Sequence, residues 1–423
     1  MDAPDDSTDV TVDSDAPGTA STHETGTGRV TIRTTHPGGN GRVLEVAGDV
    51  IRLEPEIRDS TRRWFYWNVD VESDVSQVLE VRFPTDEVVG PRGPAVRTGV
   101  PCGSPTADGA WSEWRWLGAD RRLDANAFRY AFDAGERAQL SLSFPYQRAD
   151  FDAFALEFAS DPRVSVETLT TTHGGREVPV VRLGTESGTE LDGSAGDIVL
   201  AARHHACESI GSYVLEGTLR ELLEGETGPA LLERYRVYVY PFVDLDGVER
   251  GDPGKHRAPH DHNRDYVDSN AIAHLSPIYP TTAAIAGDLE SLENLVVALD
   301  LHSPYKWGGD VNDRPFFVTD PDDPGDPLRT LASALESATT RRASDGPTLS
   351  FDAAPGTGLA SFDGQSGLLH TFTRYCWLEG ATLSSALEIP YVGTEDDPVT
   401  PSSARRLGRD LAVALLEWVD SGN

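Results

Sequence analysis

The hydrophobic pattern of the chain changes period near residue 148, so the two sides of that point must fold by different rules. From Arg29 to Gln147, segments such as RVTIRTT, RVLEVAG, VIRLEPEI, RWFYWNVDVE and AQLSLSF alternate with a rough period of two, broken by Gly, Pro, Asp and Asn. Successive side chains of a strand point to opposite faces, so this half predicts an all-β antiparallel sandwich over 29–147. From Arg148 onward, continuous apolar runs (DIVLAAR, YRVYVYPF, NLVVALDLH) alternate with helical stretches. A run with no polar face suits a strand covered on both sides. In SIGSYVLEGTLRELLEG, residues Ile210, Val214, Leu215, Leu219, Leu222 and Leu223 fall on one helical stripe, and Leu407, Leu411, Ala414, Leu415 and Trp418 do the same near the end. A further helix is expected near Pro327–Arg341. Strands alternating with helices predict an α/β domain with a mixed or mostly parallel sheet over 148–423. The first 28 residues are rich in Asp, Ser, Thr and Gly and show neither a basic nor an apolar leader region, which predicts a disordered acidic tail.

Charge narrows the partners. The 423 residues carry 69 acidic against 36 basic side chains, a net charge of −33, and Lys255 and Lys306 are the only lysines. Acidic excess spread along the whole chain predicts a solvated acidic surface. Such a surface keeps a protein soluble where salt screens charge, and the scarcity of lysine is similar to that of extreme halophiles, so a high-salt cytoplasm is the expected setting. No basic stripe exists to neutralise phosphates, which argues against nucleic acid and anionic membranes as partners. No run of 18 apolar residues predicts a membrane span. Cys102, Cys207 and Cys376 are too scattered for a disulfide framework or a thiolate metal site and read as reduced thiols. The pattern specifies no oligomeric state.

The sharpest local signal is LAARHHACES, residues 200–209. His205 and Glu208 stand three apart, after an apolar strand and before an amphipathic helix, where a tight turn lets both reach one ion at about 2 Å. His204 is adjacent, but only His205 makes the His-x-x-Glu spacing. A third ligand is supplied by NLVVALDLHSPY, an apolar run ending in His302. Sites of α/β sheets lie at the carboxyl ends of strands, which is where this histidine falls. Two His and one Glu leave a fourth tetrahedral position for water, the catalytic form of a zinc site. Asp300, two residues before His302 on the same strand face, either orients a ligand histidine or is a buried carboxylate satisfied by backbone donors.

Taken in order, these fragments resemble the zinc carboxypeptidase family of metallopeptidases, most closely its cytosolic carboxypeptidase branch. That family has His-x-x-Glu after a strand, an Asn-Arg pair, a third His after another strand, and a late Glu. Here they are His205 and Glu208, Asn263 and Arg264 in HNRDY, His302, and Glu388 in SALEIPY. PFVDLDGVERG, residues 241–251, looks like the family's Pro-x-x-Asn-Pro-Asp-Gly-Val segment, with Asp244 and Leu245 replacing Asn and Pro. The branch carries a sandwich domain ahead of the catalytic one. RRWFYWNVDV and SFPYQ, with Trp64, Phe65, Tyr66, Phe144, Pro145 and Tyr146, look like its landmarks. The resemblance spans about residues 29–420. It departs between the two ligands, where Pro-Gly is Ala206-Cys207, and at Asp300-Leu301-His302-Ser303-Pro304, which is closer to the His-Ser form of the digestive enzymes than to Asp-x-His-Gly-His.

The resemblance implies a mixed sheet flanked by helices, preceded by the sandwich, with one zinc ion on His205, Glu208 and His302. It implies hydrolysis of the C-terminal peptide bond of peptides or proteins. Glu388 would be the general base. Asn263 and Arg264 would bind the free α-carboxylate, a task for which a planar guanidinium is suited. Arg257 would stabilise the oxyanion, with Arg250 as its rival. Arg374, in TFTRYCW, falls where the branch has a basic residue favouring acidic C-terminal side chains, and Tyr375 would be the tyrosine closing over the substrate. Two other functions draw on the same residues: a zinc-dependent N-acyl amino acid deacylase of related fold, and a catalytically inactive carboxypeptidase-like binding protein.

Overall fold

A computed structural model of the chain describes residues 20–84, 86–99, 111–184, 196–267, 275–309, 311–319, 325–342, 349–354, 357–361 and 369–422. The first part contains eleven strands among these residues: β1 (Ser21–Glu24), β2 (Arg29–Arg33), β3 (Arg42–Ala47), β4 (Val50–Glu54), β5 (Asn68–Ser73) and β6 (Gln77–Arg82). After them come β7 (Ala95–Gly99), β8 (Arg115–Trp116), β9 (Arg122–Asp124), β10 (Ala127–Phe132) and β11 (Arg137–Ser141). They form one sheet in the order β1-β2-β5-β11-β7-β8 and a second in the order β3-β4-β6-β10-β9. The pairings are antiparallel except β4 with β6, which run parallel. Alternation places Leu79 and Val81 of β6 and Phe128, Tyr130 and Phe132 of β10 inside, against Val69, Val71 and Leu140 of the first sheet. Trp67 sits between the sheets, its ring 4.8 Å from Phe83 and stacked on Phe128. Its indole N–H donates to the Val88 carbonyl at 2.8 Å, so a large apolar ring is buried without an orphaned donor.

One expectation is corrected at the N-terminus. The acidic tail predicted through residue 28 includes β1, which pairs antiparallel with β2 from Ser21↔Ile32 to Glu24↔Arg29. Thr25 continues the attachment, its hydroxyl donating to Gln77 Oε1 at 2.7 Å. A polar edge strand needs backbone partners rather than an apolar face, and composition does not register that. Residues 1–19 and Cys102 lie outside the described residues.

After α1 (Arg148–Glu157) the second pattern takes over. Its strands are β12 (Val164–Thr171), β13 (Glu177–Leu183), β14 (Gly196–Ala202), β15 (Tyr235–Tyr240), β16 (Tyr266–Val267), β17 (Leu295–His302), β18 (Phe316–Thr319), β19 (Leu359–Ser361), β20 (Leu369–His370) and β21 (Leu383–Glu388). Eight of them make a mixed sheet in the order β12-β13-β15-β14-β17-β21-β18-β19. The central four, β15-β14-β17-β21, are mutually parallel. The helices are α2 (Ile210–Glu224), α3 (Thr227–Leu232), α4 (Leu245–Arg250), α5 (Pro280–Glu290), α6 (Asp326–Arg342), α7 (Phe372–Leu378) and α8 (Pro401–Asp420). Successive residues of β14 go to opposite layers. Ile198, Leu200 and Ala202 join the core that contains Leu219, Leu407, Leu411 and Trp418. Val199 and Ala201 join a second core with Ile285, Leu289, Phe372 and Tyr375. The first core also contains the sandwich residues, so the two halves share one continuous apolar interior.

Helices α2 and α8 touch at glycines. A Cβ on Gly217 would lie 1.9 Å from the Arg405 carbonyl oxygen, and one on Gly408 would lie 1.9 Å from that of Val214. Thr218 closes the contact by donating to the Gly408 carbonyl at 3.0 Å. Gly408→Ala must therefore push the helices apart, and overpacking of this kind costs about 1–3 kcal/mol. Denaturant unfolding at fixed salt is expected to show that loss; an unchanged midpoint would mean the close approach contributes nothing.

Candidate metal centre

Strands β14, β17 and β21 run parallel and in register, so their carboxyl ends share one edge. Ala202 pairs with Leu301, and His302 with Glu388. At the end of β14, Arg203 adopts a left-handed φ of 64°. Its buried guanidinium donates to the carbonyls of Tyr146 (2.7 Å) and Ala206 (3.1 Å) and to the Ser212 hydroxyl (3.2 Å). These bonds fix the turn that carries His205 and Glu208 into α2.

The sequence-predicted triad is brought together. His205 Nδ1 is 3.2 Å from Glu208 Oε1 and 3.1 Å from His302 Nδ1, while His302 Nδ1 is 2.7 Å from Glu208 Oε2. All three side chains are buried. Ligands about 2.0–2.1 Å from a tetrahedral zinc ion lie about 3.3 Å apart, so the triangle has the dimensions a shared cation requires. The donor set also fits: two imidazole nitrogens and a carboxylate converge on one another. His302 Nε2 donates to Asp300 Oδ2 at 2.6 Å, which leaves the lone pair of Nδ1 facing the triangle. Electrostatics point the same way. Burial pushes Glu208 up, but Lys255, His205 and His302 outweigh it and hold its carboxyl well below the usual range. Burial likewise disfavours charge on His302, yet Asp300 and Glu208 raise it well above the ordinary imidazole value. The surroundings thus demand positive charge at the triangle.

Glu388 ends β21 beside His302. The residue is half-buried, but its Oε2 atom is enclosed and has no hydrogen-bond partner among the described residues. Burial raises its carboxyl above the usual range, His302 opposes this, and Glu208 adds to it. Asn263, in the short turn His262–Arg264, places Nδ2 3.2 Å from His302 Nε2 and accepts from the Phe372 N–H at 3.1 Å. Arg264 follows it, half-buried, and donates to the Asn263 carbonyl at 3.0 Å.

Arg257, its rival Arg250 and Tyr375 are placed otherwise. The Arg257 guanidinium is buried against Asp59 and Asp244 (2.6 Å to Oδ2) and lies 3.0 Å from His262 Nδ1. No contact of Arg257 with the triad occurs among the described residues, because these carboxylates hold it elsewhere. Its rival Arg250 pairs with Asp252 at 3.0 Å. Tyr375 is a core residue, 1% exposed, with its hydroxyl donating to Glu290 at 3.1 Å, so it does not close over a site. Arg374 lies on α7 with its guanidinium 4.4 Å from the centre of the Trp377 ring.

The cation that does reach the triad is Lys255, whose Nζ is 2.5 Å from Glu208 Oε1. It lies under Trp64 of the sandwich, 5.7 Å from the ring centre. The sandwich segment 59–61 runs alongside it: Ser60 Oγ donates to the Lys255 carbonyl (2.7 Å), Thr61 N–H to that of His256 (2.8 Å), and Asp59 holds Arg257. Arg257 is thus a staple for the loop bearing Lys255. The sequence did contain a signal for this residue: where arginine supplies nearly every positive charge, a retained lysine asks for a reason.

Residues 153–303, which include all three triad residues, match a family model described as zinc carboxypeptidase. Cytosolic carboxypeptidase 2 from Homo sapiens and from Macaca fascicularis are each 32% identical to this chain over 129 residues, 29% of its length. The aligned stretch spans only 14% and 15% of those proteins. The fold is shared more widely. A metallo-carboxypeptidase from Burkholderia cenocepacia superposes with a TM-score of 0.67 and 17% identity, covering 93% of this chain and all of that one. A metallo-carboxypeptidase from Pseudomonas aeruginosa, in complex with (2-guanidinoethylmercapto)succinic acid, does so at 0.68 and 16%, covering 93% of this chain and all of that one. The architecture of sandwich plus mixed sheet is that of these structures.

Purified protein is expected to retain one zinc ion per chain. His302→Ala should weaken its hold by more than about a hundredfold, beyond the effect of losing an outer partner of a ligand. Elemental analysis after dialysis against zinc buffers reads this directly, and equal zinc in both proteins would remove the triad as the metal site.

Proposed function

We propose, for a chain whose residues 153–303 match a zinc carboxypeptidase family model, that it hydrolyses the C-terminal peptide bond of peptides or proteins. The observation that carries this reading is the enclosed, unpartnered Oε2 of Glu388, on the residue that pairs in register with His302 of the two-His, one-Glu triangle. Zinc held by His205, Glu208 and His302 would act as a Lewis acid and lower the pKa of bound water to about 7. Glu388 takes the proton of the attacking water and returns it to the leaving amine. A carboxyl raised by burial is matched to this task, because it can release the proton as readily as it accepts it. Lys255 supplies the positive charge for the developing oxyanion, the role that the family resemblance implies for Arg257. Arg264, with Asn263 beside it, grips the free α-carboxylate.

A preference for Glu or Asp at the cleaved end belongs to the same proposal and rests on Arg374. Helix α7, which bears it, begins at Phe372, bonded to Asn263. The division into a sandwich of 29–147, now with β1 added, and a catalytic domain of 148–423 is part of it as well. So is a high-salt cytoplasm, supported by the excess of acidic residues. Among the described residues no helix is long and apolar enough to cross a membrane.

Glu388→Gln is expected to keep zinc while lowering kcat by about 10²–10⁴-fold on peptides with a free C-terminus. In the parent enzyme kcat/KM should rise with pH as the Glu388 base form appears, with its acid limb above the ordinary glutamate value of 4.5 because burial raises this carboxyl. A zinc-replete Glu388→Gln protein with parental turnover would end the assignment.

Lys255 and Arg257 separate by readout. Lys255→Gln should lower kcat by about 10²–10³-fold with little change in unfolding of the zinc-loaded protein, where the bound cation would still compensate Glu208. Arg257→Gln leaves Asp244 buried without its partner and should cost about 3–5 kcal/mol of stability. Steady-state kinetics and denaturant titration on both variants test this; the opposite pattern would return the oxyanion role to Arg257.

A further inference from the structure

Behind His302 a chain of polar groups runs into the second core, where such groups are costly unless every donor and acceptor is met. His302 Nε2 lies 2.6 Å from Asp300 Oδ2. The other oxygen of that carboxylate, Oδ1, lies 2.8 Å from His204 Nδ1. His204 Nε2 lies 2.7 Å from the Tyr266 hydroxyl. Asp300, His204 and Tyr266 are fully buried and His302 nearly so. With Asp300 ionised and both imidazoles neutral, one arrangement of protons satisfies these three contacts. Tyr266 O–H donates to His204 Nε2, His204 Nδ1–H donates to Asp300 Oδ1, and His302 Nε2–H donates to Asp300 Oδ2. The end of this chain is the lone pair of His302 Nδ1, aimed at the triangle. The other end is Tyr266, on β16, two residues beyond Arg264.

We propose that His204 and Tyr266 are positioning residues for His302. Acting through Asp300, they fix the tautomer and ring orientation of this metal ligand and tie it to the segment that carries Asn263 and Arg264. The proposal rests on the metal-centre reading above. The geometry explains why a second histidine precedes His205: it completes the shell of a ligand on the neighbouring strand. Rings reinforce the tie, since His204 lies 5.2 Å from Phe372, the residue bonded to Asn263. A carboxylate with one acceptor left empty could rotate; with both oxygens taken, Asp300 holds the imidazole in one plane.

The test compares Tyr266→Phe and His204→Leu with Tyr240→Phe, a buried tyrosine of the same core whose hydroxyl meets Asp288 at 2.9 Å and lies outside the chain. Zinc affinity is read by chelator competition, the visible spectrum by cobalt substitution, and stability by thermal unfolding. Tyr266→Phe is expected to weaken zinc binding about tenfold and His204→Leu about 10–100-fold, both with an altered cobalt spectrum, while Tyr240→Phe leaves affinity and spectrum as in the parent. His204→Gln, which retains a donor, should recover part of the loss. Equal effects from Tyr266→Phe and Tyr240→Phe, or unchanged spectra with losses that follow Tm alone, would overturn the proposal. If the parent protein holds no stoichiometric zinc, the metal reading itself falls, and this inference with it.

Discussion

A carboxylate enclosed in protein persists as an anion only where positive charge and hydrogen-bond donors surround it, and Glu208 is the group around which the rest of this molecule is arranged. It is fully buried, and it faces two imidazoles and an ammonium. Each neighbour comes from a different part of the chain: His205 from the same turn, His302 from β17, and Lys255 from a loop braced by the sandwich. Bringing them to one point requires parallel strands ending at a common edge and the Arg203 staple that shapes the turn. The sheet satisfies this because its central strands are covered on both faces, which leaves their carboxyl ends as the place where polar side chains can gather.

The same requirement explains why the sandwich is not an appendage. Its core is continuous with the helical layer of the α/β half, and its segment 59–61 pairs with residues 255–257. Trp64 covers Lys255, and Phe65 packs edge-on against Tyr391 just beyond β21. A lysine side chain is flexible, and an ammonium beside a metal ligand is useful only if held in place. The hold comes from the other half of the molecule. Asp59 and Arg257 make the joint electrostatic as well as apolar, a pairing that motif spacing alone would have read as catalytic.

What the sequence made legible follows from how local each signal is. Continuous apolar strands, the helical stripes of α2 and α8, and the turn holding His205 and Glu208 are properties of short segments, and each stands where it was expected. His302 could be placed because strand ends carry the site in such sheets, Glu388 because of the family resemblance, and register then put them side by side. Arg257 and Tyr375 went astray because residue type and order do not say which partners a side chain will meet. Asp59 lies 198 residues from Arg257, and Glu290 takes the Tyr375 hydroxyl. Polar strand β1 was invisible for a related reason, since its anchoring is by backbone bonds to β2. Asp300 was left between two readings, and the bond to His302 favours the first.

The acidic surface bears on how such a site could recognise its substrate. A chain of net charge −33 repels a peptide with a free carboxylate at long range, and more so one ending in Glu or Asp. At about 1 M salt the Debye length falls to about 3 Å, so that repulsion fades while a contact at hydrogen-bond distance is retained. Recognition of an anionic end at such salt would therefore be short-ranged, made by a few cations at the site rather than by the field outside. On the proposed reading this places the burden on Lys255, beside Glu208, and on Arg264, since many surface arginines are consumed by neighbouring carboxylates. On that reading, screening by salt and confinement of charge to the site would be two parts of one solution: the solvent would remove the barrier to approach, and the cations at the site would supply the selectivity once a substrate had arrived.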